Sequence, residues 1–266
     1  MIKNYMSLHL GQRKLLLTEV HFLTNYGDLS KNIIYIGAAP GNHINYLSQL
    51  FPQHKFYLYD PRDFEILENK NIFIFKKLFC TSDIDTLDNY LLISDIRQNI
   101  NSKSMIQNEI CNIVMQDMEL QKNWILKLKP KSSLLKFRIP LFCDSFEYLD
   151  GDIIEQPWAP ESTYETRLIV KENPNTKIYC KNEYLNLINN LKNKRKINFY
   201  NHGLQLKRVP GLDHCFDCNL EIKIWKEYLS KFDSVTNNNI SNLMKRTGIK
   251  LKKYLTKKPH GKMKII

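Results

Sequence analysis

The stretch IIYIGAAPGN at residues 33–42 decides the fold, because it joins an apolar run to a turn built on Gly37 and Gly41. This combination is typical of a buried strand that leads into a helix and approaches a ligand at the turn. A dinucleotide-binding turn has the pattern G-x-G-x-x-G, whereas Ala39 stands here at the second glycine position. Pro40 has no N–H to donate to a phosphate. The turn therefore favours a nucleoside ligand without a pyrophosphate.

Similar apolar runs alternate with helical patterns along the rest of the chain. Apolar runs predict six strands, at residues 33–37, 55–60, 71–79, 91–97, 132–139 and 166–172. Apolar residues at helical spacing predict helices at residues 11–23, 41–51, 104–129 and 182–193. Strands that alternate with helices form a mostly parallel sheet with helices on both faces. We therefore predict an α/β fold with one doubly wound, Rossmann-like domain.

Positive charge is concentrated at the end of the sequence. The net charge is +12, and nine Lys and Arg but no acid follow Asp233, so subtracting nine leaves only +3 on the preceding residues. A basic stretch of this kind usually neutralises phosphates. We predict a globular domain over residues 1–232 and a basic extension over residues 233–266. A short amphipathic helix near 240–255 and a disordered, solubilising end are both open.

The remaining composition indicates a cytoplasmic protein. Six cysteines are scattered without a disulfide-like spacing, which suits a reducing compartment. No apolar run approaches the roughly 18 residues of a membrane span, and the first residues lack the apolar core of a signal peptide. The sequence HCFDC at residues 214–218 contains one C-x-x-C. Because a structural zinc site needs four ligands and no second cysteine pair is suitably spaced, we predict no metal.

Charged residues stand where the predicted strands end. In a doubly wound sheet, ligands bind at this edge, near the point where the strand order reverses. Asp60 ends the second strand, 23 residues after Gly37, and a carboxylate there commonly accepts hydrogen bonds from a ribose diol. With the turn, Asp60 favours S-adenosyl-L-methionine (AdoMet) over NAD. A turn that serves only close packing of a helix on a strand is the remaining alternative.

Five segments carry a resemblance to a known family. They read YIGAAPGNHINYL, LYDPR, LISDIR, LLKFRIP and QPWAPESTYETRL, in this order, between about Gly11 and Tyr200. The set resembles the poxvirus cap-specific mRNA (nucleoside-2′-O-)methyltransferases, whose polypeptide is also the small, stimulatory subunit of poly(A) polymerase. More broadly, the chain is similar to FtsJ-like RNA 2′-O-methyltransferases. The resemblance implies an AdoMet-dependent methyltransferase fold and a catalytic Lys-Asp-Lys-Glu tetrad formed by Lys14, Asp95, Lys136 and Glu165.

Methyl transfer to a ribose hydroxyl requires residues of these types. The hydroxyl is a weak nucleophile, so the enzyme must align it with the methyl group and take up its proton. A lysine accepts a proton near neutral pH only where burial or a neighbouring cation lowers its pKa. The resemblance implies Lys136 as the proton acceptor and Lys14 as its cationic neighbour. Asp95 is expected to orient Lys136, and Glu165 to position Lys14 or the ribose.

The resemblance also implies binding residues. The expected AdoMet contacts are Gln12, Tyr35, Gly37, Gly41, Asp60, Arg62, Phe79 and Asp95. The expected RNA and cap contacts are Arg138, Ile139, Pro140, Leu141, Phe142, Asp144, Thr163, Tyr164, Glu165 and Glu183. The family stacks the methylated guanine between two aromatic rings, and only 13 residues precede Lys14, so we expect a reduced pocket. Leu141 or Phe142 is expected at the second ring position, with Asp144 at the guanine edge.

Three functions are therefore open. The first is 2′-O-methylation of the first transcribed nucleotide of capped mRNA by a viral protein in the host cytoplasm or virion. The same protein is expected to bind single-stranded RNA and to form a heterodimer with a poly(A) polymerase catalytic subunit. The second is a non-catalytic or weakly catalytic RNA-binding subunit of that polymerase. The third is an rRNA or tRNA 2′-O-methyltransferase of FtsJ type.

Overall fold

The computed structural model describes residues 2–97, 107–160, 163–197, 199–205, 209 and 212–251. Residues 252–266 of the predicted basic extension lie outside the described residues, as do residues 104–106 of the predicted helix 104–129. Among the described residues, no helix is both long and apolar enough to cross a membrane.

Nine strands of the described residues form two sheets. They are β1 (Asn32–Ile36), β2 (Lys55–Tyr59), β3 (Ile72–Phe75), β4 (Leu91–Ser94), β5 (Ser132–Phe137), β6 (Ser145–Leu149), β7 (Asp152–Ile154), β8 (Thr166–Lys171) and β9 (Thr176–Cys180). Seven strands make the main sheet in the order β3-β2-β1-β4-β5-β8-β7, and β6 pairs with β9. The first five strands of that order are parallel, whereas β8 runs antiparallel to both β5 and β7. The predicted mostly parallel sheet is confirmed.

In the part of the chain that the structure describes, six α-helices cover the main sheet. They are α1 (Ile2–Tyr26), α2 (Ile44–Leu50), α3 (Gln107–Leu128), α4 (Lys181–Lys196), α5 (Phe216–Ser230) and α6 (Asn237–Lys250). One hydrophobic cluster joins the sheet to α1, α2, α5 and α6. A second cluster joins it to α3, α4 and the β6–β9 pair. The sheet is therefore buried on both faces, which explains why its strands are continuous apolar runs.

The helix α6 lies within the predicted basic extension. Thr236 caps it, since its hydroxyl accepts a hydrogen bond from the Asn239 N–H at 3.1 Å. Ile240, Leu243 and Met244 are buried in the same cluster as α1, α2 and α5. The first part of the extension therefore packs against the domain. The division of the chain at residue 232 stays a prediction.

The strand order places the ligand-binding edge between β1 and β4. The chain proceeds from β1 to β2 and β3 on one side, then returns to β4 and β5 on the other. A crevice opens at such a reversal, outside the carboxyl ends of the two central strands. The turn after β1 and the residues that follow β4 therefore face each other across the crevice.

Candidate active site

Two glycines shape the turn that follows β1. Gly37 has a φ of 79° and Gly41 a φ of 76°, in the left-handed region that favours glycine. A Cβ on Gly37 would lie 2.8 Å from the carbonyl carbon of Asp95 and 2.9 Å from the nitrogen of Ile96. The backbones that follow β1 and β4 therefore touch. The glycine turn brings Asp95 to the wall of the crevice.

We expect Gly37→Ala to lower the free energy of unfolding by about 3 kcal/mol, because it combines a strained φ with a clash against backbone atoms. Gly203→Ala is the matched control, since Gly203 has a φ of 77° and nothing within 4 Å of its Cβ position. That control should lose about 1 kcal/mol. Urea unfolding of both variants measures the difference. Equal losses of unfolding free energy in the two variants would show that a Cβ at Gly37 meets no costly clash with the Asp95 backbone.

A cavity of about 490 Å³ opens beside this turn. Its lining includes four of the predicted cofactor residues, namely Gly37, Asp60, Arg62 and Phe79. Residues after β4 and on α3 close the other side, among them Ile96, Arg97 and Trp124. The cavity is thus at the edge of the sheet where the sequence predicts the ligand.

Asp60 forms the polar corner of this cavity. Its carboxylate is buried and accepts hydrogen bonds from the Ala39 N–H at 3.1 Å and the Arg62 backbone N–H at 2.9 Å. The Arg62 guanidinium donates to both carboxylate oxygens, at 2.7 and 2.9 Å. Burial raises the pKa of Asp60, but its hydrogen bonds with Arg62 lower that pKa below its usual range. Asp60 is therefore a fixed, ionised acceptor, suited to the hydroxyls of a ribose.

Aromatic rings form the opposite wall. The Phe79 ring packs edge-on against Tyr59, with 5.0 Å between centroids, and against Trp124 at 5.4 Å. Trp124 and Tyr59 also line the cavity. Phe79 is therefore both part of the packed core and part of the cavity wall. A wall of this kind suits a planar base, which gains from contact with aromatic rings.

Gln12 and Tyr35 do not line this cavity. The Gln12 side-chain oxygen accepts a hydrogen bond from the His43 N–H at 3.2 Å and lies 2.8 Å from His43 Nδ1. The fully buried Tyr35 hydroxyl donates to Glu19 at 2.6 Å. These side chains stabilise the glycine turn and the start of α2 from outside the cavity. Their direct contact with a cofactor stays a prediction.

The four residues of the predicted tetrad lie together. Lys136 Nζ is 3.1 Å from Asp95 Oδ1 and 3.6 Å from Glu165 Oε2, and Lys14 Nζ is 3.3 Å from Glu165 Oε1. Asp95 follows β4, and Lys136 lies near the end of β5. Glu165 precedes β8, which runs antiparallel to β5, so its start lies at the same sheet edge. Lys14 reaches this edge from α1.

Two arginines complete the cluster. Arg167 is 3 % exposed and donates to Asp95 at 2.6 Å. Arg97 donates to Glu165 at 3.3 Å and to Asp117 at 3.2 Å. Arg167 Nη2 also lies 3.9 Å from Glu165 Oε1, so Arg167 contacts both acids of the tetrad.

The surroundings of the cluster lower the pKa values of its two tetrad acids and of Lys14. Burial raises the pKa of Asp95, but Arg167 and Lys136 lower it to about 2. Burial also opposes ionisation of Glu165, yet Lys14 and Lys136 hold its pKa well below the usual value. The pKa of Lys14 is lowered, mainly by burial, although Glu165 opposes the shift. The site therefore keeps its acids ionised and makes Lys14 easier to deprotonate than a lysine in water.

Residues predicted to contact RNA border this cluster. Two cations lie over the Tyr164 ring, with Arg138 Cζ 5.7 Å and Lys192 Nζ 4.5 Å from its centroid. The Thr163 hydroxyl accepts a hydrogen bond from the Glu165 N–H at 3.0 Å. The segment before β8 thus connects a basic, aromatic surface with the tetrad. Cations and aromatic rings together suit a nucleic-acid strand, whose phosphates are negative and whose bases stack.

The predicted cap residues separate into buried and exposed groups. Ile139 and Pro140 are buried, and the half-buried Leu141 packs against the second hydrophobic cluster. Phe142 is 45 % exposed, so of the two candidates Leu141 and Phe142 it is the one that offers a ring for stacking. Asp144 lies 2.6 Å from the Lys181 ammonium, and Glu183 is exposed in the first turn of α4. The assignment of these residues to a cap stays a prediction.

Two viral enzymes are similar to this chain in sequence. The cap-specific mRNA (nucleoside-2′-O-)-methyltransferase of Myxoma virus (strain Lausanne) is 32% identical over 222 residues, which are 72% of this chain and 64% of that protein. The enzyme of the same name from Fowlpox virus (strain NVSL) is 35% identical over 183 residues, or 60% of this chain and 57% of that protein. The chain therefore spans less than two thirds of the length of these relatives.

A solved structure and a family model extend the comparison to nearly the whole chain. Bluetongue virus VP4, described as a multifunctional RNA-capping production line, superposes with a TM-score of 0.53 at 14% identity, over 90% of this chain and 50% of VP4. At that identity the likeness shows a shared fold. The model of the poly A polymerase regulatory subunit matches residues 2–257. Because this match covers nearly the whole sequence, the chain belongs to the poly A polymerase regulatory subunit family.

Proposed function

We propose that this protein is an AdoMet-dependent RNA 2′-O-methyltransferase that acts on the first transcribed nucleotide of capped mRNA. The observation that carries the proposal is the cluster of Lys14, Asp95, Lys136 and Glu165, with ion-pair distances of 3.1 to 3.6 Å. The cluster lies beside the cavity at the glycine turn, because Gly37 contacts the Asp95 backbone. Methyl donor and acceptor ribose would therefore meet at Asp95.

The cavity suits the three parts of AdoMet. Asp60 is a buried, ionised acceptor for the ribose diol. Phe79 and Trp124 provide apolar walls for the adenine. Asp95 offers negative charge toward the positively charged end of the donor, although Arg167 and Lys136 already neutralise part of it. AdoMet supplies the sulfonium-activated methyl group, and the protein has to hold and orient it.

Lys136 is the proposed proton acceptor. Its ammonium group contacts both acids of the tetrad and lies at the sheet edge next to the turn. Among the described side chains of the cluster, four cations (Lys14, Arg97, Lys136 and Arg167) face three acids (Asp95, Asp117 and Glu165). The arginines stay protonated, so a lysine is the cation of this cluster that can take up a proton. As a neutral amine, Lys136 would accept the 2′-hydroxyl proton as the oxygen attacks the methyl carbon.

A second role, as the stimulatory subunit of a poly(A) polymerase, is supported by the family match and by the charge of +12. In this role the protein would bind single-stranded RNA and pair with the catalytic subunit, in the host cytoplasm or the virion. The complete tetrad favours retained catalysis over a purely non-catalytic subunit. An rRNA or tRNA substrate is the remaining alternative, and it requires no cap.

Methyl transfer to RNAs that differ only at the 5′ end tests the proposal. We expect labelled AdoMet to methylate an m7GpppN transcript faster than a GpppN or a triphosphate transcript. An m7GpppN transcript already methylated at the first ribose is the control and should accept no label. Equal transfer to the three unmethylated ends would refute cap specificity. AdoMet binding without transfer to any of them would favour the non-catalytic subunit.

A further inference from the structure

A cluster of metal-ligand atoms lies at the start of α5, outside the catalytic site. The two sulfurs of Cys215 and Cys218 and a carboxylate oxygen of Asp213 all lie within 4.8 Å of one another. The prediction of no metal considers only the C-x-x-C and the missing second cysteine pair. The structure adds Asp213 as a third donor, two residues before the first cysteine.

Backbone hydrogen bonds hold these donors in place. Cys215 caps α5, and its sulfur accepts a hydrogen bond from the Cys218 N–H at 3.4 Å. The Cys218 sulfur accepts one from the Asp213 N–H at 3.5 Å, and the Asp213 carboxylate accepts one from the Cys215 N–H at 2.9 Å. Two sulfurs bound to one tetrahedral zinc ion, at about 2.3 Å each, lie ~3.8 Å apart. The spacing at α5 therefore allows both to bind one ion.

The charge of the cluster suits a cation better than a reactive thiol. Cys218 is fully buried, and a carboxylate oxygen of Asp213 lies within 4.8 Å of both sulfurs. Reactive cysteines instead lie in exposed, electropositive surroundings that lower the thiol pKa. Two thiols beside a carboxylate offer three anionic ligands once a divalent ion displaces the two protons.

We propose that Asp213, Cys215 and Cys218 bind one zinc ion, with the fourth coordination position filled by water. Thiolate and carboxylate ligands at these spacings suit zinc, which accepts both sulfur and oxygen. Binding forms two Zn–S bonds and one Zn–O bond to Asp213, displaces all but one of the waters of the hydrated ion, and releases the two thiol protons to solvent.

The proposed ion would stabilise the segment that precedes α5. His202 Nε2 lies 3.0 Å from the Asp213 carbonyl oxygen, and His214 Nδ1 lies 2.9 Å from the Tyr200 carbonyl oxygen. These contacts fold residues 199–205 onto the metal-binding residues. In α5, Glu221 contacts Arg13 of α1, next to the tetrad lysine. We therefore expect the ion to stabilise this part of the fold, and its loss should lower the melting temperature more than AdoMet affinity.

The test is the metal content and metal affinity of the full chain, purified under reducing conditions and supplied with zinc chloride alone. We expect about one zinc per chain after gel filtration. Cobalt(II) in its place should give the thiolate-to-cobalt absorption of a site with two sulfurs. Cys215→Ser should weaken zinc binding at least about tenfold, and serine can still cap α5. Cys143→Ser and Cys180→Ser are the matched controls and should keep the metal.

Several outcomes would overturn the site. One is a wild-type chain that binds zinc no more tightly than Cys215→Ser; another is a cobalt spectrum without thiolate bands. A Cys215–Cys218 disulfide in protein purified without reductant, together with absent zinc in the reduced chain, would identify a redox pair instead. Circular dichroism of Cys215→Ser separates loss of ligand from loss of fold. Asp213→Asn, which keeps the acceptor for the Cys215 N–H but removes the charge, gives an independent variant.

Discussion

Lys136→Ala should abolish methyl transfer to m7GpppN RNA and leave AdoMet affinity within a few-fold of the wild-type value. The loss is expected to be roughly 10²- to 10⁴-fold in kcat, the usual contribution of a positioned acid or base. Lys136 Nζ lies 3.1 Å from Asp95 and 3.6 Å from Glu165, whereas the donor cavity is lined by other residues. Chemistry and donor binding therefore depend on different side chains.

Two further variants separate proton transfer from charge. Lys131→Ala is the matched control, because Lys131 directly precedes β5, at the opposite end from Lys136, and pairs with Glu172 at 2.8 Å on the surface. It should leave the rate unchanged. Lys136→Arg keeps the positive charge but offers a group that does not deprotonate, so it should be as inactive as alanine. Activity in either Lys136 variant, measured with labelled AdoMet, would remove Lys136 as proton acceptor.

The central part of the fold follows from local patterns in the sequence. The strands of the main sheet that were predicted, β1 to β5 and β8, are continuous apolar runs because both faces of the sheet are buried. The short strands β6, β7 and β9 were not predicted. Exposed or charged residues interrupt the apolar ones in these strands, as in TKIYC and SFEYL. These strands depend on pairing with distant partners, and no local pattern shows that pairing.

Helix α5 was also not predicted, for a different physical reason. Its buried face carries Asp217 and Glu221 among apolar residues, and buried acids interrupt the pattern that marks an amphipathic helix. Their partners, Trp158 and Arg13, lie 59 and 208 residues away in sequence. The role of these buried acids can be recognised only when their tertiary contacts are known.

The membership of the proposed tetrad could be predicted from the sequence, but its ion pairs could not. The resemblance implies Lys14, Asp95, Lys136 and Glu165, and their catalytic roles stay a prediction. The structure brings these four together. The partners of Arg167 and Arg97 depend on the register of β5 against β8, which aligns Lys136 with Arg167. Register is a property of the assembled sheet, so these ion pairs cannot be derived from neighbours in sequence.

Glu221→Gln should lower the free energy of unfolding by about 3–5 kcal/mol, the usual cost of breaking a buried ion pair. Glu221 is fully buried and accepts hydrogen bonds from Arg13 Nε at 2.9 Å, Trp158 Nε1 at 2.7 Å and Trp225 Nε1 at 3.1 Å. A second Arg13 nitrogen, Nη2, donates to the other carboxylate oxygen. Glutamine replaces one acceptor oxygen by an NH₂ that faces donors, and it leaves the buried Arg13 charge without a counter-ion.

Glu227→Gln is the matched control, because Glu227 lies on the same helix but is partly exposed and pairs with His21 at 2.7 Å. It should cost less than about 1 kcal/mol in urea unfolding. Similar losses for the two variants would show that the Arg13 pair contributes no more than a surface pair.

The double variant Arg13→Met with Glu221→Leu tests the origin of the loss. Removing both charges relieves the unpaired guanidinium, so the double variant should be more stable than Glu221→Gln alone. It should not regain wild-type stability, because the indole N–H groups of Trp158 and Trp225 lose their shared acceptor, at about 1–3 kcal/mol for each unsatisfied donor. Full recovery would mean that Glu221 serves Arg13 alone. No recovery would mean that the loss of stability in Glu221→Gln comes from the two indole N–H groups and not from the unpaired Arg13 charge.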